Sequence, residues 1–412
     1  MGLKTRYFPP HRVSAPDMSM SDRPEGLSLT YATTYDPKNV RAWSGTVYHV
    51  AHALEAKGVR MEYLGELAKN QVFVHKAVNK LSKMARLGEM FPVERTERMA
   101  DLFARRIREH LMTSRSDLVF SPSSIPISLL RTKRPKVFYT DATFAGILAG
   151  DPAWKSYPKS YLAEGHRLEQ ASLDNCDLAI YASQWAARTA REHYRVDESK
   201  IRVVPFGANF TRSPDAELVL QELDKRPITE CRLLFMGVNW AFKGGAKALE
   251  AARILNERGL RTRIDLVGCQ PEVDVLPVWA TAHGFISKET QEGRDRIDSL
   301  FASSHFLLLP TLADCLGLVL CEANAFCVPA FANDVGGVGE VVKPGINGHL
   351  FPPDASASDW ADRIAEVFGD PSGYRAMALR SRAQFEERLN WDSAGTAIHG
   401  HLSELLRTSV RA

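Results

Sequence analysis

From residue 28 onward the chain alternates between short apolar runs and longer stretches with helical periodicity. Continuous apolar runs suit strands buried on both faces, and strands joined by helical crossovers make parallel sheets. In the first half the runs are Ser28–Thr33, Met61–Gly65, Asp117–Phe120, Lys136–Tyr139, Leu178–Tyr181 and Ile201–Val204. Helical stretches fall at 75–112, 160–174 and 184–194, and another helix opens near Gly45. The pattern restarts after Pro205-Phe206-Gly207-Ala208-Asn209, with runs at Leu233–Gly237, Ile264–Gly268, Phe306–Leu309 and Val328–Ala332. The helix after the first of these places Leu249, Ala252 and Leu255 on one face and stops at Gly259. Two doubly wound α/β units follow, with a cleft between the carboxyl ends of their strands. The expected boundaries are a flexible lead-in over 1–25, an N-terminal domain over 26–209, and a C-terminal domain over 210–380. The stretch 212–227 reads as a polar linker, and 381–412 as a helix crossing back to the N-terminal domain.

Size agrees with this division, since 412 residues suit two cores of roughly 200 residues better than one. Lysine and arginine number 52 against 49 acids, and a net charge of +3 is too small a bias to argue for a nucleic-acid partner. A peripheral contact with a membrane stays open. No run approaches the ~18 apolar residues of a membrane span. Met1–Glu25 lacks the apolar core of a secretory signal. The six cysteines show neither CxxC pairs nor zinc spacing and read as reduced thiols of a cytoplasmic protein.

The most informative segment is Pro310-Thr-Leu-Ala-Asp314-Cys-Leu316-Gly317-Leu318-Val-Leu-Cys-Glu322. A strand runs into a loop carrying Asp314, and a helix opens near Gly317. Unpaired N–H groups at a helix start sit at the positive end of the dipole, and Gly317 permits close approach, so this is a site for a diphosphate. Glu322 on the same helix can accept hydrogen bonds from a ribose diol. The alternative is that both acids form a solvated helix cap. A second element, Gly237-Val-Asn-Trp-Ala-Phe-Lys243-Gly244-Gly245, puts a lysine on a glycine-rich turn, where an ammonium can offset charge on a departing diphosphate. The alternative is an exposed lysine beside glycines that merely permit the turn. Gly45 at a helix start is a further anion site, unless Ser44 simply caps that helix. Asp141, directly after the strand at Lys136–Tyr139, either contacts a bound sugar or acceptor or caps the next helix.

The segment from Asp314 to Glu322 resembles the Glu-x7-Glu motif of family 4 (group 1) retaining glycosyltransferases, with Asp314 where the first Glu is usual. The resemblance continues through Pro329, Asp334-Val-Gly336-Gly337-Val-Gly-Glu340 and Gly345-Ile-Asn-Gly348-His-Leu-Phe, about 40 residues in all, and more weakly through nearly the whole chain. It implies the GT-B architecture, two facing Rossmann-like domains with an interdomain cleft. Lys243 and the amides around Leu316, Gly317 and Leu318 would then hold the donor diphosphate, with Gly244 shaping the turn. Asp314 would hold sugar hydroxyls, Glu322 the ribose, and Ile286 in Gly284-Phe-Ile-Ser-Lys288 would flank the nucleobase. The loop Tyr35–Thr46 with Gly45, and Asp141, would lie where donor and acceptor meet. Glu169, Ser183, Pro205, Gly207 and Asn209 match weaker family positions and read as structural. The chain departs from the family where many members carry a base a few positions before the lysine, for here stand Val238, Asn239 and Phe242.

The implied reaction moves a hexose from a nucleotide-diphosphate sugar, UDP before GDP, to an acceptor hydroxyl with retention, by front-face displacement. No cofactor or metal is expected. The acceptor class is a small molecule, glycan or glycolipid, and oligomeric state is open. The competing reading is a catalytically weak nucleotide-sugar-binding protein, favoured by Asp at 314 and the missing upstream base.

Overall fold

The computed structural model describes residues 26–68, 94–151, 154 and 156–409. The expected lead-in and residues 75–93 of the expected long helix lie outside the described residues.

The first sheet is built from β1 (Ser28–Ala32), β2 (Arg60–Leu64), β3 (Leu118–Ser121), β4 (Lys136–Thr140), β5 (Leu178–Tyr181) and β6 (Ile201–Val203). All are parallel, in the order β2-β1-β3-β4-β5-β6. Crossover helices are α1 (Thr46–Glu55), α2 (Glu97–Leu111), α3 (Ile125–Ser128), α4 (Phe144–Gly150), α5 (Lys159–Asn175) and α6 (Gln184–His193).

The second sheet comprises β7 (Cys231–Met236), β8 (Thr262–Val267), β9 (Ala280–Gly284), β10 (Phe306–Leu309), β11 (Ala330–Asn333) and β12 (Gly348–Phe351). They too are parallel, in the order β12-β11-β10-β7-β8-β9. Its helices are α7 (Ala216–Asp224), α8 (Trp240–Lys243), α9 (Gly245–Glu257), α10 (Gln291–Ser303), α11 (Leu318–Ala325), α12 (Val338–Val341), α13 (Ala357–Phe368) and α14 (Pro371–Arg388). The central strands β7 and β10 are almost fully buried, which accounts for their unbroken apolar runs.

Besides the strands β9 and β12, which the sequence did not reveal, two segments differ from the expectation. The polar stretch 212–227 contains α7, whose only deeply buried residues are Val219 and Leu223, too thin a stripe to stand out from its charges. Ser381 lies inside α14; the chain breaks at Leu389-Asn390, and α15 (Trp391–Ser409) follows. That last helix packs against α1, with Gly395 close to the Ala53 carbonyl and Lys57 Nζ donating to Asp392 at 2.6 Å. Among the described residues no helix is long and apolar enough to cross a membrane.

Candidate active site

Where strand order reverses in an open parallel sheet, the loops leaving two neighbouring strands part and leave a crevice. In the second sheet that point lies between β7 and β10. The loop from β7 leads through α8 to Lys243, and the loop from β10 carries Asp314. Lys243 Nζ donates to Asp314 Oδ2 at 2.6 Å, and the two side chains are only 23% and 17% exposed. Asp314 is fixed from behind: its Oδ1 accepts from the Leu316 N–H at 3.3 Å and its carbonyl from the Gly337 N–H at 3.1 Å. Asn239 Oδ1 caps α8 by accepting from the Phe242 N–H at 2.9 Å. Gly244, at φ +77°, links α8 to α9, and a β-carbon there would lie 2.0 Å from the Pro310 carbonyl oxygen. Only glycine lets the two loops lie this close.

Helix α11 starts from Gly317 at φ +79° with no side-chain cap. The Leu320 N–H already donates to the Gly317 carbonyl at 2.8 Å, while the N–H groups of Leu318 and Val319, ahead of it, have no helical acceptor and sit at the positive end of the dipole. One turn further on, Glu322 is 3% exposed, and its Oε1 accepts from Lys288 Nζ, which comes from the loop after β9. Ile286 and Phe285 belong to the same loop.

Both domains enclose a cavity of about 1110 Å³ over this floor. From the first domain, Asp141 enters it after β4. Burial, and then the negative charge of Asp314, raise the Asp141 carboxyl to about 7. His49 on α1 also borders the cavity, and burial followed by the nearby Lys288 charge lowers its imidazole to about 4. The ring of His49 stacks on Trp391 with centroids 6.0 Å apart. In the loop before α1, Trp43 and Ser44 take φ of 48° and 56°, a left-handed conformation costly for residues with side chains. Asn209 Nδ2 holds that loop by donating to the Ser44 carbonyl at 2.6 Å. Arg41 pairs with Glu289 across the cavity mouth.

Of the residues expected from sequence, Lys243, Asp314, Asp141, Glu322, Leu316, Gly317, Leu318 and Ile286 border this one cavity. Gly45 and Gly244 do not; they shape the backbone behind it. Four alternative readings are overturned. Thr143, not Asp141, caps α4 by accepting from the Gly146 N–H at 3.1 Å. Ser44 does not cap α1, which begins from Gly45 with no side-chain cap. Glu322 and Asp314 are not a solvated cap, because each is largely enclosed and paired with a lysine. Nor is Lys243 an exposed lysine. Sequence reasoning missed Lys288, Arg41, His49, Trp154 and Trp185 as cavity residues. Lys288 was within reach, two positions beyond Ile286; the others line the cavity only because the two domains face each other.

The chain resembles known proteins in sequence and in fold. The family model described as "Glycosyltransferase Family 4" matches residues 45–212, and the one described as "Glycosyl transferases group 1" matches residues 225–386. A D-inositol 3-phosphate glycosyltransferase of Nocardia farcinica is 30% identical over 242 residues, 54% of this chain and 53% of the relative. An alpha-D-kanosaminyltransferase of Streptomyces kanamyceticus is 27% identical over 186 residues, 44% of this chain and 47% of its own. The matched region thus spans about half the length of these curated relatives. Among solved structures, a sucrose-phosphate synthase from Thermosynechococcus elongatus superposes with a TM-score of 0.66 at 15% identity, covering 93% of this chain and 99% of its own. HepE of Anabaena in complex with UDP-glucose superposes at 0.60 with 17% identity, covering 92% and 100%. Two family models that match successive domains, on an architecture shared with these solved structures, establish that the chain belongs to the group 1 glycosyltransferases of GT-B fold.

Proposed function

We propose that this chain is a retaining hexosyltransferase that takes a UDP-hexose as donor. The observation that carries the reading is the Lys243–Asp314 pair at the switch point of the second sheet, beside the uncapped start of α11. A cation and the N–H groups of Leu318 and Val319 that open the helix converge there, the arrangement that stabilises charge on a departing diphosphate. On donor binding Lys243 turns from Asp314 to the phosphates, and Asp314 is released to accept from sugar hydroxyls. Glu322, enclosed one helical turn away, accepts from the ribose diol, and the 285–288 loop borders the base. The solved complex of HepE with UDP-glucose, on the same fold, supports uridine as the base.

The acceptor oxygen attacks C1 on the face the diphosphate leaves. The C1–O bond to the β-phosphate breaks, and the acceptor proton passes to the departing phosphate oxygen. Protein groups contribute orientation and charge stabilisation rather than a covalent intermediate. We further propose that Lys243 and the helix start supply the positive field without a resident metal or cofactor. The six free cysteines support a reducing, cytoplasmic setting.

Calorimetry with UDP, GDP and ADP, followed by NMR of the anomeric proton in the transfer product, tests the reading. Selective binding of UDP and an α-glycoside formed from an α-linked donor are expected. A β-product would overturn retention, and binding without turnover would favour a catalytically weak binding protein.

A further inference from the structure

The same cavity is also bordered by a set of apolar side chains, with the charged Asp151 among those of the first domain. The second domain contributes Val238, Phe242 and Leu312, and the first contributes Ile147, Trp154 and Trp185. Val238 and Leu312 are 72% and 61% exposed, among the most exposed large apolar side chains in the described structure. Both stand on the two loops that present Lys243 and Asp314, and both border the cavity. The facing wall is closely packed. Trp185 packs over Gly146 so tightly that a β-carbon there would lie 2.9 Å from the ring. Trp154 meets Phe144 edge-on at 5.9 Å. Gly150, at the end of α4, lies against Ala313, and a β-carbon there would be 3.2 Å from the alanine methyl group, which brings the two walls together beside Leu312.

We infer that the acceptor carries an apolar aglycone next to its reacting hydroxyl, held between the tryptophans of the first domain and Val238, Phe242 and Leu312 of the second. This rests on the transferase reading above. The ribose, hexose and diphosphate are polar and are met by Glu322, Asp141, Asp314 and Lys243; apolar walls in the same cavity are matched by an apolar group bound together with them. That group is attached to the nucleophile, since its walls open directly onto the position of the departing diphosphate. An acyl chain and an aromatic ring share this chemistry, and both fit between flat indole faces and branched aliphatic side chains.

The test measures transfer from UDP-glucose to methyl, octyl and 4-nitrophenyl glucoside and to D-inositol 3-phosphate, with UDP binding followed in parallel by calorimetry. Octyl or 4-nitrophenyl glucoside should exceed methyl glucoside in kcat/KM by tenfold or more, and the better of the two identifies chain or ring. In Trp185→Ala and Leu312→Ser that ratio should shrink at least threefold, a change in selectivity that loss of folded enzyme would not produce. Equal efficiency across the glucosides, or preference for D-inositol 3-phosphate, with UDP binding intact, would overturn the apolar acceptor alone. Absence of UDP binding would overturn the transferase reading and this inference together.

Discussion

Trp391 donates its indole Nε1–H to Asn209 Oδ1 at 2.8 Å, joining the first turn of the last helix to the end of the first domain. The amide of Asn209 in turn holds the Ser44 carbonyl at 2.6 Å, and the Trp391 ring lies parallel to His49. One side chain thus braces the left-handed Trp43–Ser44 loop and the imidazole that border the cavity. Gly207 fits only because it has no side chain: a β-carbon would lie 2.3 Å from the Trp391 backbone nitrogen.

Replacing Trp391 with Phe keeps most of the ring contact and removes the donor. The Asn209 oxygen is then left without its indole partner in a site only 6% exposed, and an unpaired buried acceptor costs about 1–3 kcal/mol. We expect a lower Tm, read by calorimetry, and a severalfold rise in KM for the donor as the loop relaxes. An unchanged donor KM would show that the brace serves stability alone.

Lys243→Ala removes the cation nearest the expected diphosphate. Loss of one such stabilising group typically lowers kcat by roughly 10²–10³-fold, and that fall is expected in steady-state transfer assays. Asp314→Ala should weaken UDP-hexose binding more than UDP binding, because Asp314 is assigned to the sugar. Equal weakening of both ligands in calorimetry would move Asp314 to the phosphates.

Glu322→Gln tests the ribose contact. A hydrogen bond to a charged group contributes about 1.5–3 kcal/mol, so UDP affinity should fall by roughly 10–100-fold with little change in the affinity for pyrophosphate alone. Calorimetry on both ligands decides it; a parallel loss for pyrophosphate would mean that freeing Lys288 had disturbed the helix start.

Asp141 predicts a pH dependence. Its folded carboxyl is raised to about 7 from an ordinary value near 3.8, by burial and by Asp314. Between those values the folded state holds a proton that the unfolded state has released, so this group's contribution to stability falls as pH rises and reaches its full penalty above about 7. Asp141→Asn should therefore be more stable than the parent at pH 8, with the difference in Tm shrinking towards pH 4. A difference independent of pH would remove the carboxyl as its source.

The central strands were the plainest elements in the sequence because they are buried on both faces, although the half-exposed edge strand β2 was read too, at Met61–Gly65. Leu233-Leu234-Phe235 and Phe306–Leu309 form central strands, and their apolar continuity is a direct record of that burial. β9 and β12 passed unrecognised because they are the two edges of the second sheet, where partial exposure interrupts the apolar run. α7 hid for a related reason, since two buried residues do not make a visible stripe. Glycines and acids at strand ends could be read as candidate ligand groups, because loop chemistry is local.

By itself the sequence determined the α/β class, the succession of strands and helices, and the kinds of side chain available at the strand ends. Each of these depends on periodicity or on neighbours a few residues apart. Tertiary structure alone decided that Lys243 meets Asp314, 71 residues away, that Glu322 meets Lys288, and that Asp141 shares a cavity with them. It also decided that Trp391 braces Asn209 from 182 residues further along. Strand order and the packing of one domain against the other create these meetings, and neither leaves a local signature in the chain.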